Sequence, residues 1–174
     1  GETVCDLPLA PIADEAPAYD RPWERAEPRV EIDARTLRAP EHLGECLVRL
    51  MGSPDLASKA WIWRQYDRHV MADTVAASDD PSDAALVRVH RTDKALALTT
   101  DVTPRYCFAD PVEGGKQAVA EAWRNLTATG ADPIAITDCL NFGNPERPAI
   151  MGQFVGCIEG MASACRALDF PVVS

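Results

Sequence analysis

The fold class that the sequence predicts is α/β (α+β), with a mixed sheet and flanking helices behind an extended proline-rich linker. From residue 114 onward the residue patterns follow the order helix, strand, helix, strand, which is typical of such domains. Two apolar runs, residues 84–89 and 95–100, have the length and separation of a β-hairpin or two adjacent antiparallel strands. Six prolines among the first 40 residues remove backbone donors, which indicates an extended linker.

The composition is that of one ordinary globular domain: 174 residues, 47% hydrophobic and 25% charged. A formal charge of −10 argues against nucleic acid or an anionic membrane surface as a partner. No apolar run reaches the roughly 18 residues of a membrane span. Six scattered cysteines without a C-x-x-C pair argue against a zinc module. They favour reduced thiols, and therefore a cytoplasmic location.

The two ends of the sequence suggest a piece of a longer chain. The first residues lack an initiator Met and carry acids where a signal peptide has a basic region. The last residues, FPVVS, stop inside a strand-like run. We therefore expect a domain truncated at its C-terminus, without a signal peptide.

Residues 1–54 are expected to form a proline-rich connector with a short helix at 41–51, and residues 55–174 the domain. Apolar side chains in the linker are candidate anchors on another domain: Leu7, Leu9, Ile12, Tyr19 and Trp23. The short helix would carry one apolar face, formed by Leu43, Leu47, Leu50 and Met51. A second helical stretch is expected over 55–71, and a turn at 78–83.

The second half of the chain is expected to open with an irregular segment at 101–110. The pair Gly114 and Gly115 then frees the backbone before a helix that begins near Lys116. Its buried stripe would be Ala118, Val119, Ala122, Trp123 and Leu126. Gly130 is expected to end this helix in a left-handed conformation. The remaining elements are a strand at 133–140, a polar elbow at 141–148, a helix at 149–168 and a strand at 170–173.

Oxygen-bearing side chains on these elements are the candidate site. Glu121 and Asn125 lie four positions apart and therefore on one helix face. Three acids stand at strand ends: Asp83, Asp101 and Asp138. Such a set suits one or two Mg²⁺ ions, which prefer carboxylate and amide oxygens. The alternative is a solvated Glu121, an Asn125 bonded to backbone and an Asp138 that caps a turn. Neither a P-loop nor a G-x-G-x-x-G fingerprint is present.

Long strings of this sequence resemble one enzyme family, phosphoribosylformylglycinamidine synthase. They include EGGKQAVAEAWRNL and ITDCLNFGNP, together with ASKAWIWRQYDRHVMADTV, DAALVRV and TTDVTPRY upstream. The linker VCDLPLAPIADEAPAYDRPW also matches, so the resemblance covers essentially the whole chain. Their length makes chance matching implausible.

The resemblance implies a piece of an ATP-dependent ligase of purine biosynthesis. That enzyme converts formylglycinamide ribonucleotide, ATP and glutamine-derived ammonia to formylglycinamidine ribonucleotide, ADP and phosphate. It has two similar halves, each opening with an ATP-binding synthetase-type α/β domain. This chain corresponds to the connector and the first domain of the second half. The implied partners are the rest of the synthetase, a glutaminase subunit and a small bridging subunit.

The resemblance also implies roles for individual residues, with Mg²⁺ and ATP or ADP as ligands. The nucleotide-binding candidates are Asp138, Asn141 and Lys116. The metal-binding candidates are Asp83, Asp101, Glu121 and Asn125. No catalytic residue is expected, because the family's catalytic histidine lies in the other half and the three histidines here (His42, His69 and His90) do not match it.

Two alternatives accompany this interpretation. The domain is either part of a catalytic site or a non-catalytic half that holds a structural Mg-nucleotide. A sister enzyme, aminoimidazole ribonucleotide synthetase or selenophosphate synthetase, is the other alternative. The isolated chain is expected to lack activity. A sheet interrupted at Ser174 would leave an unpaired edge, so self-association is expected.

Overall fold

The computed structural model describes residues 1–25, 27, 29–66, 69–76 and 82–174. Part of the helix predicted over 55–71 and most of the turn predicted at 78–83 lie outside these residues. Six α-helices and three strands are described: α1 (Leu9–Ile12), α2 (Leu43–Met51), α3 (Ala60–Tyr66), β1 (Thr74–Ala76), β2 (Ala85–Arg88), β3 (Ala95–Leu98), α4 (Pro104–Ala109), α5 (Pro111–Ala128) and α6 (Pro148–Leu168). A 3₁₀ turn, Ala34–Thr36, precedes α2. No described helix is long and apolar enough to cross a membrane.

The first helices carry no buried residue. Helix α2 confirms the predicted short helix, but its apolar face is exposed, with Leu43 at 70% and Leu47 at 60% of full exposure. The helix predicted over 55–71 is confirmed only for α3, because the described residues 55–59 and 69–71 are not helical. The connector nevertheless touches the domain, because Arg29 Nε donates to the Phe108 carbonyl at 3.1 Å and the guanidinium lies 3.7 Å from the ring centroid of Phe108.

The sheet is antiparallel, in the order β1, β2, β3. The predicted hairpin is confirmed, with Ala85 opposite Leu98 and Arg88 opposite Ala95. Arg91 in its turn has φ 62°, the left-handed conformation that tight turns require. Strand β1 was not predicted, because it has three residues and its register is broken by an irregularity.

The segment from 101 to 115 corrects two expectations. Residues 101–110 are not irregular throughout, since α4 begins at Pro104, a residue whose fixed φ suits the first turn of a helix. Helix α5 begins at Pro111 and not near Lys116, because Asp110 caps it by accepting from the Glu113 backbone N–H at 3.1 Å. The cap places the glycine pair inside the helix.

Glycines let α5 and α6 pack closely. Gly114 and Gly115 are buried on α5: a Cβ at Gly114 would lie 2.5 Å from the Cys107 Cα of α4, and one at Gly115 would overlap the Cys157 carbonyl of α6. On α6, a Cβ at Gly156 would lie 2.8 Å from the Pro111 Cβ. Gly160 similarly meets the backbone of α5. The predicted helix at 149–168 is confirmed by α6, and the left-handed Gly130 by its φ of 82°.

The core lies between the sheet and the two long helices. Its buried members are Ala84, Val119, Ala122, Leu126, Cys165 and Phe170. Val119 and Phe170 are the most enclosed, at 0% and 1% exposure. The three α5 residues of this cluster belong to the predicted stripe, and Trp123 packs against it half-buried. Hydrophobic periodicity therefore identified the inward face of α5 correctly.

The strands predicted at 133–140 and 170–173 are wrong as strands. The structure has an isolated parallel bridge between Ile136 and Val172. Two backbone hydrogen bonds form it, from the Ile136 N–H to the Pro171 carbonyl at 2.9 Å and from the Val173 N–H to the Ile136 carbonyl at 3.0 Å. A third, from the Asp138 N–H to the Ser174 carbonyl at 2.8 Å, extends it. The two segments are adjacent and parallel, with α6 as the crossover, but their pairing is too short to form a regular ladder. Helices around a small antiparallel sheet remain consistent with the predicted α/β class.

Candidate functional site

Asp101 is the best-anchored acid among the candidates. It follows β3 and is half-buried. One carboxylate oxygen, Oδ1, accepts from Asn125 Nδ2 at 2.8 Å, and the other accepts from Thr99 Oγ1 at 2.6 Å. Hydrogen bonds to a charged carboxylate are stronger than those between neutral groups. The structure thus joins two predicted metal-binding residues that are 24 positions apart.

The other two metal candidates are less firmly tied to this pair. Thr99 Oγ1 lies 3.5 Å from the carbonyl oxygen of Asp83, so Asp83 adjoins the pair through its backbone while its side chain is exposed. Glu121 is half-buried on α5, one turn before Asn125. Within the described residues, no group of three or more His, Cys, Asp or Glu side chains is arranged to hold a metal ion.

The three nucleotide candidates lie on separate elements. Asp138 is half-buried beside the parallel bridge, and its backbone N–H donates to Ser174. Asn141 is exposed, and its Nδ2 lies 3.3 Å from the carbonyl oxygen of Cys139. Lys116 Nζ is paired with Glu113 Oε1 at 2.6 Å on α5. No hydrogen bond among the described residues joins any two of the three candidates, whose grouping stays a prediction.

The predicted elbow at 141–148 has a defined shape. Asn144 Oδ1 accepts from the Glu146 backbone N–H at 2.9 Å, and the Asn144 carbonyl accepts from the Arg147 N–H at 3.2 Å. The ring of Phe142 meets that of Phe154 edge to face, with centroids 5.0 Å apart. Helix α6 follows at once. The elbow is therefore held by its own side chains and by α6.

A groove of about 350 Å³ adjoins the elbow. Its lining combines connector and elbow residues with the first turns of α6: Tyr19, Arg21, Leu140, Phe142, Gly143, Pro145, Ile150, Met151 and Phe154. A second groove, of about 560 Å³, lies between the connector and the start of α5, with walls that include Trp23, Val30 and Pro111. Both grooves are therefore walled in part by the connector.

Sequence reasoning missed Thr99 and the aromatic pair of the elbow. Thr99 was detectable as a hydroxyl two positions before an acid at a strand end, a spacing that suits side-chain hydrogen bonding. The contact between Phe142 and Phe154 had no comparable signal, because it depends on how the elbow enters α6.

The two cysteines in the core have environments that do not favour thiol reactivity. Burial, followed by the neighbouring Cys107 thiol, raises the pKa of Cys157 to about 12. Burial also raises the pKa of Cys165. All six cysteines are free, and Cys157 and Cys165 are buried. A buried neutral thiol is a poor nucleophile, so these two have a packing role.

The chemistry of the donor set fits Mg²⁺. Asp101, Asn125, Asp83 and Glu121 all offer oxygen atoms, the ligands that this hard cation prefers. Two hydrogen bonds additionally hold Asp101 in one orientation. The Asp101 side chain therefore loses less conformational entropy when it binds a metal ion. Mg²⁺ keeps several waters and needs few protein ligands, so two or three of these side chains suffice.

Comparisons with known proteins give consistent matches. The family model described as "AIR synthase related protein, N-terminal domain" matches residues 81–174. Over all 174 residues the chain is 62% identical to phosphoribosylformylglycinamidine synthase subunit PurL of Caulobacter vibrioides. The corresponding subunits of Zymomonas mobilis and Parvibaculum lavamentivorans are 62% and 59% identical over the same length. The chain spans 23–24% of the length of these curated relatives. The resemblance found from sequence strings is thus confirmed, and the domain boundary at residue 54 stays a prediction.

Proposed function

Because the chain belongs to the family of AIR synthase related proteins, we propose that it is the nucleotide-binding part of a formylglycinamidine ribonucleotide synthetase. The whole enzyme would join glutamine-derived ammonia to formylglycinamide ribonucleotide at the expense of ATP. The observation that carries this proposal is the 62% identity to subunit PurL over the full 174 residues. The alternative of a sister synthetase is disfavoured, because the identity extends through residues 1–80, outside the family match.

In this proposal the oxygen ligands bind Mg²⁺ and the elbow region binds the nucleotide. Asp101 and Asn125 form the centre of the metal site, with Asp83 and Glu121 as further ligands. Asp138, Asn141 and Lys116 contact the nucleotide. Bound Mg²⁺ supplies neutralisation of phosphate charge, which phosphoryl transfer requires. The chain's own contribution is to hold Asp101 oriented through Asn125 and Thr99, which is supported by their hydrogen bonds of 2.8 and 2.6 Å.

A second candidate function is a non-catalytic half that holds a structural nucleotide. Under either function the isolated chain has no synthetase activity. The proposed partners are the rest of the synthetase, a glutaminase subunit and a small bridging subunit, in the cytoplasm.

The proposed site is tested by titrating the chain with ADP and ATP, with Mg²⁺ and with excess EDTA, in isothermal calorimetry. We expect binding that requires Mg²⁺ and that weakens about tenfold or more in the isosteric variant Asp101→Asn, a loss of about 1.4 kcal/mol. Asp93→Asn, in the exposed hairpin turn, is the matched control and should bind as the wild type does. Equal affinity of both variants, or binding that ignores EDTA, would contradict the proposal.

The two candidate functions are separated in a full-length subunit that carries this domain. Asp138→Ala is measured there for turnover and for thermal stability. A large loss of turnover at unchanged melting temperature supports a catalytic nucleotide. Lost stability with residual turnover supports a structural one.

A further inference from the structure

The connector contributes a short segment that is seated on α6. We call residues 19–25 the strap. The backbone N–H of Glu24 donates to the carbonyl of Pro148, the first residue of α6, at 3.1 Å. The Glu24 carbonyl packs directly on Gly152, where even a Cβ would overlap it. The strap is therefore fixed to the first turns of α6 through its backbone, and a glycine is required at the contact.

Two arginines flank this backbone contact and tie the strap on both sides. The Arg21 guanidinium lies 3.6 Å from the Glu146 carboxylate and 4.6 Å from the centroid of the Tyr19 ring. Arg25 lies 3.4 Å from Glu159. The Arg21 side chain is 29% exposed, less than that of Arg25 at 64%. Exposed ion pairs contribute little stability on their own. We therefore expect the contact between Glu24 and Gly152 to contribute most of the stability of the strap, and the Arg21 ion pair to determine its position along α6.

The strap meets the elbow as well as α6. Glu146, the partner of Arg21, lies in the elbow, and its backbone N–H is bonded to the Asn144 side chain. Tyr19 and Arg21 line the 350 Å³ groove together with Phe142 and Gly143. The elbow thus contacts the strap through Glu146 and α6 through Phe142.

We propose that the strap is a positioning element of the nucleotide site: Arg21 and Glu24 fix the elbow so that Asp138 and Asn141 are presented to the ligand. This inference rests on the proposed function, since the ligand is a Mg-nucleotide. The strap lies outside residues 81–174, the part that the family model matches. The family domain is consequently not self-sufficient in this chain, and its elbow depends on a segment more than a hundred residues upstream.

Hydrogen exchange on the whole chain tests the coupling. Gly152→Ala places a methyl group where the Glu24 carbonyl lies, and should speed exchange of the Glu24 amide about tenfold or more. The amides of Glu146 and Arg147 should speed up with it, because their turn loses its outer support. Gly44→Ala, at an exposed helix position with no atom within 4 Å, is the control and should change neither.

A charge exchange provides a second test that leaves the glycine in place. Arg21→Glu should loosen the same elbow amides, and the double variant Arg21→Glu with Glu146→Arg should restore their protection. Mg-ADP affinity should fall about tenfold in Gly152→Ala, fall less in Arg21→Glu and recover in the double variant. A purely structural strap would not give this recovery of affinity.

The outcomes are distinguishable. If the Glu24 amide is released while Glu146 and Arg147 exchange as in the wild type, the positioning role is refuted. The same holds if the elbow loosens and Mg-ADP affinity does not change. If the wild-type chain binds no nucleotide, the proposed function fails, whereas the exchange data still decide whether strap and elbow are coupled.

Discussion

The side-chain amide of Asn125 donates a 2.8 Å hydrogen bond to Asp101, and so connects the last turn of α5 to the segment that follows β3. Both groups are half-buried, where a carboxylate needs partners more than it does in open solvent. Thr99 supplies the second partner at 2.6 Å. The contact that defines the candidate metal site is thus also a contact that joins sheet and helix.

Asn125→Ala should lower the free energy of unfolding by about 1–2.5 kcal/mol. A hydrogen bond to a charged group contributes about 1.5–3 kcal/mol, and alanine returns about 0.5 kcal/mol through its better helix propensity. Urea denaturation measures the change. Arg124→Ala, at the exposed neighbouring position, should stay within about 0.5 kcal/mol of the wild type. Equal stability of the two variants would show that the Asn125 contact is not formed.

Gly160→Ala should destabilise the helix pair. A Cβ at this position overlaps the Val112 carbonyl, which is backbone and has little room to move. Overpacking of this kind costs about 1–3 kcal/mol. Gly44→Ala is the matched change in an unobstructed helix and should stabilise by up to about 1 kcal/mol. Thermal unfolding of both variants decides the point, and a neutral Gly160→Ala would mean that α5 and α6 lie further apart.

Stability should fall at alkaline pH because of Cys157. Burial raises the pKa of this thiol from 9.0 to about 12, so the folded chain holds a proton that the unfolded chain releases. The resulting stabilisation is fully present below pH 9 and is lost as the pH rises from 9 towards 12. The slope from this group is at most about 1.4 kcal/mol per pH unit.

Denaturation in urea at several values between pH 8 and pH 11, under reducing conditions, isolates the Cys157 contribution. Cys157→Ala should flatten the fall in stability relative to the wild type. Cys139→Ala removes an exposed thiol and should leave the slope unchanged. Parallel curves for all three proteins would be evidence against a buried neutral thiol at 157.

Self-association was expected from a sheet edge at Ser174, where the structure has only an isolated bridge, and is now expected from the antiparallel sheet. Strand β3 is an edge strand, and Leu96 and Leu98 are 56% and 54% exposed. Unpaired edges and apolar faces recruit further copies of a chain. Light scattering over a wide concentration range should show oligomers, and Leu96→Lys should reduce them. Thr92→Lys, in the exposed hairpin turn, controls for added charge, and a monomeric wild type would refute the expectation.

Elements with strong periodicity were predictable and those set by tertiary contacts were not. The stripe of α5 and the hairpin followed from side-chain spacing alone. Helix α4 was missed because it has six residues, too few for a periodic pattern, and its signal was limited to Pro104. The glycine pair was predicted to precede the helix, whereas Gly114 and Gly115 lie inside α5, because the Asp110 cap starts this helix at Pro111.

The candidate site was likewise predictable from the sequence only in part. The spacing of Glu121 and Asn125 placed both on one helix face, as the structure bears out. It did not identify Asp101 as the partner of Asn125, since that depends on where β3 ends relative to α5. The strap was anticipated only as apolar anchors in a linker. Its backbone seat involves no side chain of Glu24, so residue 24 gives no signal, and Gly152 alone does not indicate which segment packs on it.

Helix α6 carries its three buried glycines four positions apart, and each meets a different partner: Glu24 at Gly152, Pro111 at Gly156 and Val112 at Gly160. The rotation of α6 about its own axis therefore determines whether these three partners can all make their contacts. One residue inserted between Gly152 and Gly156 would turn the second and third contacts by about 100° relative to the first. The strap and α5 could then not both pack against α6. An insertion in this segment should therefore destabilise the protein more than a substitution does.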